Sequence, residues 1–245
     1  AAASAEIIDG EFQNLQRRLF GRDQQLAGAI LLTLTPAIGN LIAPQLARFC
    51  GQHPELLLEV SSTNATEDLE MMESDVALRL TSKPPENLVG RRLATPMVGI
   101  YASHATVAEL QTQGTVEVVS MFTSNGKTLF SGESIDAWIR DSIGSATKAA
   151  MHSNSTDLIR EYVAASRGVA VLPCYVGECD DRLTRIGETR QESFAELWLL
   201  YHPRLRRLHR FRAFTEYLVD EFAHLRPLFE GETACPDTSE QRATL

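Results

Sequence analysis

The stretch "LAGAILLTLTPAIGNLIAPQLARF", residues 26–49, decides the fold. A largely apolar run from Ile30 to Leu34 is typical of a buried strand, and it meets Thr35 and Pro36, where a new apolar pattern begins. Threonine is a good N-cap because its hydroxyl accepts from a free amide of the first helical turn. Proline suits the first helical position, where its missing N–H costs nothing. The stretch therefore predicts a strand that passes directly into a helix.

The same alternation of strands and helices continues outward from this stretch. "HPELLLEVSS" predicts a second strand over about 56–62, which completes a βαβ unit with parallel strands. A similar series begins in the second half, so we predict an α/β protein of two lobes whose chain crosses near 101–103 and returns near 200–202. The predicted division is 28–101 with 203–228 for the first lobe, 102–202 for the second, and 229–245 for a loosely held tail.

The first 20 residues carry a narrower apolar pattern than the rest. Apolar side chains recur there at the spacing of a coiled-coil seam, at Ile8, Phe12, Leu15 and Leu19. A short helix with one narrow apolar stripe is marginal alone and needs a partner helix. We therefore predict that the segment 1–27 contains a helix that pairs with another chain, and docking on its own domain is the alternative.

Composition narrows the classes of function. The chain has 245 residues and a formal net charge of −9, which argues against nucleic-acid binding through bulk electrostatics. No apolar segment approaches the roughly 20 residues that span a bilayer, and no signal peptide is visible, so we expect a cytoplasmic protein without a membrane partner. Reduced thiols are then expected at Cys50, Cys174, Cys179 and Cys235. The spacing of Cys174 and Cys179 favours structural thiols, with a redox pair as the alternative.

Enzyme signatures are missing from the sequence. It contains no nucleophile elbow, P-loop, dinucleotide-binding glycine motif or zinc-protease motif. The six histidines are scattered without ligand spacing, so neither a metal site nor a cofactor is predicted. Arg79 interrupts a predicted buried strand, and we expect a structural ion pair with Asp75 or Glu73, with a bound ligand as the alternative partner. Binding is therefore favoured over catalysis.

Uncharged hydrogen-bonding groups mark the strand ends and helix starts that reach the predicted cleft between the lobes. In chain order they are Thr35 with the amides of Ala37 and Ile38, then Ser62, Thr63 and Asn64, then Thr123 and Ser124, and finally Ser153, Asn154, Ser155 and Thr156. Two helix N-termini that point into one cleft from opposite lobes suit a small anion such as a carboxylate. The cleft is therefore the predicted binding site.

Several segments, in this order and at this spacing, resemble the LysR-type transcriptional regulators of bacteria. The resemblance runs from about Ala5 to Phe222 and is most specific in "SDVALRLTSKPPENLVGRRLA" and "NSTDLIREYVAASRGVAVLP". It implies a periplasmic-binding-protein-like fold of type 2, with two Rossmann-like lobes and a hinge, preceded by the end of a linker helix. It also implies a ligand-responsive transcription regulator that forms homodimers or homotetramers.

The resemblance further implies roles for particular residues. The effector contacts of the family fall on Thr35, Pro36, Ala37 and Ile38, on Thr63 and Asn64, on the hinge residues Tyr101 and Ser103, and near Thr123, Ser153, Asn154 and Ser155. Family members carry a winged helix-turn-helix ahead of the linker helix. No segment here resembles one, so this chain alone is expected not to bind promoter DNA. The rival hypothesis is a bilobal solute-binding protein of a transporter, which the coiled-coil pattern disfavours.

Overall fold

The computed structural model describes residues 26–63, 74–110, 115–122, 128–129, 133–165, 168–191, 195–233 and 235. The strands within these residues are β1 (Gly28–Leu34), β2 (Leu56–Ser62), β3 (Val76–Thr81), β4 (Val89–Ala94), β5 (Val98–Ser103), β6 (Thr115–Phe122), β7 (Thr128–Leu129), β8 (Ala146–Ser153), β9 (Gly168–Pro173), β10 (Leu183–Arg190) and β11 (Glu196–Tyr201). The helices are α1 (Pro36–Gln52), α2 (His104–Glu109), α3 (Glu133–Ile143), α4 (Thr156–Ala165), α5 (Cys174–Gly177) and α6 (His209–Phe229), with a 3-10 helix at Pro203–Arg207. The predicted α/β class is confirmed.

The first sheet has five strands in the order β2-β1-β3-β11-β4. β1 and β2 pair in parallel along their whole length, from Gly28 opposite Leu56 to Leu34 opposite Ser62. α1 connects these two strands, so the predicted βαβ unit is confirmed. β11 arrives from the far end of the chain and pairs antiparallel with β3 and β4. The carboxyl ends of β1 and β2 therefore lie side by side at one end of this sheet.

The second sheet has six strands in the order β10-β5-β9-β6-β7, and β8 also pairs with β6. β6 runs parallel to both β8 and β9. β5 is antiparallel to β9, with Val98 opposite Pro173 and Ala102 opposite Val169. The carboxyl ends of β6, β8 and β9 therefore share one end of the sheet with the start of β5, whereas β5 finishes at the opposite end.

The chain crosses between the two sheets earlier than the sequence predicts. β5 belongs to the second sheet and β11 to the first, so the crossings lie between β4 and β5 and between β10 and β11. The predicted crossings near 101–103 and 200–202, and the lobe limits drawn there, are therefore wrong. The physical reason is that every residue of β5 is buried within the second sheet, and an apolar strand does not show in its sequence which sheet it joins.

Helices cover the two sheets in different ways. α1 and α6 pack side by side against the first sheet, where the ring of Phe49 lies 5.0 Å from that of Phe214 and 5.0 Å from that of Tyr217. The second sheet has a cluster that includes Trp138 of α3 and a separate cluster that includes Val163 of α4. Burying each large apolar side chain contributes roughly 1.5–3 kcal/mol. Each sheet therefore has an apolar core of its own.

A disulfide joins Cys179, which follows α5, to Cys235, which lies beyond the end of α6. The prediction of four reduced thiols is therefore wrong for this pair, whereas Cys50 and Cys174 are free cysteines. The two bonded cysteines are 56 residues apart in the sequence, so their spacing carries no signal. They meet because α5 and α6 contribute to the same apolar cluster, which brings the residues after each helix together.

Candidate functional site

The first strand-to-helix junction lies at the carboxyl end of β1. Thr35 is the N-cap residue of α1 with an extended backbone, φ −83° and ψ 151°, and Pro36 occupies the first turn as predicted. The predicted cap bond is absent, because the Thr35 hydroxyl accepts no amide of that turn. Its Oγ1 is buried and forms no hydrogen bond with the described residues. The junction therefore combines a buried hydroxyl that no described residue engages with the amides of a helix start.

Arg79 supports the polar end of the first sheet from within. Its side chain is 4% exposed, and it donates to Thr33 Oγ1 at 2.5 Å and to the backbone carbonyl of Thr63 at 3.1 Å. The structure shows no ion pair between Arg79 and Asp75, whose carboxylate accepts from a backbone amide of β1 at 3.0 Å; the alternative partner Glu73 lies outside the described residues. The guanidinium thus ties β1 to the residue that follows β2 and places a buried positive charge there.

The second lobe presents the start of α4. Ser153 ends β8, is 6% exposed, and accepts from the Ser155 amide through its Oγ at 3.0 Å. Ser155 Oγ accepts from the Leu158 amide at 3.2 Å and therefore caps α4; the sequence left the cap open between Asn154 and Ser155. Asn154 lies exposed between the two serines. A hydroxyl that accepts one bond still has a proton to donate, so this turn offers hydroxyl donors next to a helix start.

A hydrogen bond joins the two helix starts across the space between the lobes. Asn40 Nδ2, one turn into α1, donates to Asp157 Oδ2 in the first turn of α4 at 3.1 Å, although the residues are 117 apart in the sequence. This bond places the N-terminus of α1 opposite that of α4. We call the space bounded by Thr35 and 153–155 the interlobe cleft, and the turn at Thr35 the cleft junction. Two helix N-termini make this space favourable for an anion.

Two predicted site residues lie away from this cleft. Ser103 is the last residue of β5, at the opposite end of the second sheet from Ser153, and its Oγ accepts from the Thr106 amide at 3.2 Å. We call this strand-to-helix turn the outer junction. Tyr101 is 1% exposed and donates its hydroxyl to Glu178 Oε1 at 2.9 Å, and burial raises the pKa of the phenol. Both side chains are therefore hydrogen-bonded to other residues of the protein.

The remaining predicted contacts divide into two groups. Those outside the described residues are Asn64, Thr123 and the seam residues Ile8, Phe12, Leu15 and Leu19. Ala37 is half-buried and Ile38 is fully buried in the core of the first lobe, so their amides are the groups left at the helix start. The sequence analysis missed Asn40 and Asp157. Their signal is weak, since single polar residues in the first turns of a helix are normally just solvated.

The described part of the chain also shows what kinds of site are not formed within it. No group of three or more His, Cys, Asp and Glu side chains among these residues is arranged to hold a metal ion. Of the helices that the structure describes, none combines the length and the apolar character needed to cross a bilayer. The described groups around the interlobe cleft are hydroxyls, helix-start amides and the bonded pair of Asn40 and Asp157.

Comparison with known proteins gives a family and a relative. The chain matches the family model of the LysR substrate binding domain over residues 23–223. It is also 40% identical over 77 residues to an HTH-type transcriptional regulator of Xanthomonas campestris pv. campestris (strain 8004). That alignment covers 31% of this chain and 22% of the relative, so the chain spans under a quarter of the regulator it matches.

Solved structures share the fold. CrgA, a LysR-type transcriptional regulator from Neisseria meningitidis, superposes with a TM-score of 0.60 at 17% identity, covering 90% of this chain and 77% of that one. The Vibrio cholerae virulence activator AphB, a member of the LTTR family, gives 0.63 at 14% identity, with 90% and 77% covered. At these identities the likeness shows the fold alone. Together with the family match, it confirms the predicted resemblance: the chain belongs to the LysR substrate-binding domain family and has its fold of two periplasmic-binding-protein-like α/β lobes.

Proposed function

We propose that this chain is the effector-binding and oligomerisation region of a cytoplasmic transcription regulator of LysR type, which senses a small anionic molecule in the interlobe cleft. The observation that carries this proposal is the pair of helix N-termini joined by the bond between Asn40 and Asp157 at 3.1 Å. Beside them lies the buried Thr35 hydroxyl, for which the described residues provide no partner. An acid group supplies the acceptors that these donors need.

The two crossings suggest how binding is transmitted. We propose that residues 28–94 and 196–229 form the first lobe and 98–190 the second, with a hinge where the chain passes between the sheets. An effector that touches both helix starts favours the lobe orientation in which they are close. The bond between Asn40 and Asp157 is a contact that changes when the lobes rotate. The effector therefore shifts a population of lobe orientations, and the oligomer relays that shift.

Self-association is the second part of the proposal. β2 is an edge strand of the first sheet and leaves Leu57 58% and Val60 47% exposed. An exposed apolar edge strand offers unpaired backbone groups to another chain. We propose that a second copy covers this edge, helped by the predicted seam in 1–27. Sedimentation should show a dimer or tetramer at about micromolar concentration; a monomer there would count against it.

Promoter DNA is the partner of the whole regulator in this proposal. Its relative from Xanthomonas is named as an HTH-type regulator, so we assign DNA recognition to a domain other than the one described here. The net charge of −9 supports this division, because the phosphates of DNA repel a chain whose overall charge is negative. A gel shift with this chain alone is expected to show no sequence-specific complex, and a salt-resistant, operator-specific complex would contradict the proposal.

A thermal-shift screen of small carboxylates, amino acids and neutral analogues tests the effector proposal. A ligand that binds only the folded state stabilises it by about 2.7 kcal/mol at a hundredfold excess over Kd. We expect at least one acid to raise the melting temperature, its amide or alcohol analogue to do less, and Thr35→Val to reduce the shift. Stabilisation by neutral analogues alone, or the same shift in Thr35→Val, would contradict it.

A further inference from the structure

A cavity lies on the first lobe, apart from the interlobe cleft. It has a volume of about 280 Å³ and sits between the edge strand β4, its neighbour β11, the 3-10 helix and the first half of α6. None of the described residues that bound the interlobe cleft lines it. Its volume lies just below the range of roughly 300–1,000 Å³ that is typical of small-molecule sites. The cavity is therefore large enough for a small organic molecule and too small for a macromolecule.

Three arginines from different elements line this cavity. Arg91 of β4 lies directly opposite Leu199 of β11, so the two side chains share one face of the sheet. Arg206 comes from the 3-10 helix and Arg212 from the first turn of α6. Among the described residues, no carboxylate lies within ion-pair distance of any of the three. In a chain with net charge −9, these three arginines form a local positive excess.

The rest of the lining is mainly apolar. Leu199 is 1% and Phe211 2% exposed, and the half-buried Val219 and Tyr201 extend this surface. Glu216 also lines the cavity, and the three arginines leave the lining with a net positive charge. A cavity with an apolar floor and a basic rim differs from the interlobe cleft, where the described groups are hydroxyls, helix amides and the bonded pair of Asn40 and Asp157. The two sites therefore select for different ligand chemistry.

We propose that this cavity is a second ligand site, which binds a small organic acid whose flat or branched apolar body covers the floor. The planar guanidinium fork matches a carboxylate with two parallel hydrogen bonds, and this geometry is stronger than a neutral contact. Inorganic phosphate can pair with the arginines but leaves the apolar floor exposed to water. A neutral arene covers the floor but leaves the arginines without an acid group. An amphiphilic acid satisfies both parts of the lining.

Isothermal titration of the whole chain with three probes tests this site. The probes are 1-naphthoate, its neutral counterpart 1-naphthol, and inorganic phosphate. We expect 1-naphthoate to bind at least about tenfold more tightly than either of the others, because only it uses both the rim and the floor. No measurable binding of 1-naphthoate, or phosphate binding as tight as that of 1-naphthoate, would overturn the proposal.

Variants then locate the binding. Arg91→Gln and Arg212→Gln remove one guanidinium each from exposed positions and should weaken 1-naphthoate binding about tenfold without unfolding the chain. Arg92→Gln is the matched control, because Arg92 is the next residue of the same strand and pairs with Glu196 at 2.7 Å. Thr35→Val should leave this site unchanged. If binding disappears in Thr35→Val and persists in both rim variants, 1-naphthoate occupies only the interlobe cleft and the proposal is wrong.

Discussion

The cleft junction and the outer junction share a sequence pattern and differ in what completes them. At the outer junction, Ser103 ends a strand in extended conformation and its Oγ accepts from the Thr106 amide at 3.2 Å. At the cleft junction, Thr35 also has an extended backbone, yet its buried hydroxyl has no partner among the described residues. One hydroxyl serves the fold, whereas the other forms no bond within the described residues, and we propose that it serves the effector.

The neighbouring residues also differ between the two junctions. The first residue of α2, His104, donates its amide to the Arg182 carbonyl at 3.4 Å, and its ring nitrogens lie 2.6 Å from Thr184 Oγ1 and 2.6 Å from the Asp181 carbonyl. The protein itself thus completes the outer junction. β1 instead finishes at the end of its sheet that faces the other lobe, where ligands of open α/β sheets bind. The role of the hydroxyl therefore depends on which end of the sheet its strand reaches.

The largest expected effect on stability comes from the disulfide, which lies outside both junctions. Cys235→Ser removes the bond to Cys179 and should lower the free energy of unfolding by roughly 2–4 kcal/mol, because the unfolded chain loses a crosslink. Urea unfolding with and without dithiothreitol measures this. The reductant should destabilise the wild type and leave the stability of the variant unchanged. Equal stability of the wild type with and without dithiothreitol would contradict the prediction.

The next effect tests how the cleft junction is supported. Arg79→Met leaves the Thr63 carbonyl and Thr33 Oγ1 without their shared donor, which should cost about 1–3 kcal/mol. Arg92→Met is the control, because Arg92 lies 61% exposed and its ion pair should contribute only about 0–1 kcal/mol. Chemical unfolding compares the two variants. If both variants lose the same free energy of unfolding, the buried guanidinium of Arg79 does not support the cleft junction more than an exposed arginine would.

A direct test of the difference between the junctions uses their two hydroxyls. Ser103→Ala removes a cap bond and should lower the free energy of unfolding by about 1 kcal/mol. Thr35→Val removes a hydroxyl that caps nothing, so the ligand-free protein should lose no stability. Unfolding of both variants in the same buffer gives the answer. A loss in Thr35→Val as large as that in Ser103→Ala would remove the distinction between the junctions.

The smallest effect is a pH dependence beside the outer junction. Hydrogen bonds from Arg182 lower the pKa of the Asp180 carboxyl below its ordinary value of 3.8 and also lower that of Glu161. A carboxyl whose pKa is lower in the folded state stabilises it above the unfolded pKa and loses that contribution as pH falls through the folded pKa. Stability should therefore decline in acid, and less steeply in Arg182→Gln. Identical acid unfolding curves for both proteins would contradict this.

Local features of the fold could be predicted from the sequence, whereas long-range ones could not. The threonine and proline after β1 predicted the start of α1, and the sequence narrowed the cap of α4 to Asn154 or Ser155, of which Ser155 forms the bond. The disulfide and the bond between Asn40 and Asp157 join residues 56 and 117 apart, and no local spacing encodes such contacts. The same limit explains why Ser103 resembled a site residue: its position at the far end of the sheet depends on strand pairing.

The measurement that tests the cleft most directly is the affinity of Thr35→Val and Ser103→Ala for the carboxylate that most stabilises the wild type. Calorimetric titration should show Thr35→Val weakened by roughly 1.5–3 kcal/mol, because a hydrogen bond to a charged group is lost. Ser103→Ala should bind as the wild type does, since its hydroxyl bonds within the outer junction. Wild-type affinity in a folded Thr35→Val protein would contradict the assignment of the cleft junction to the effector.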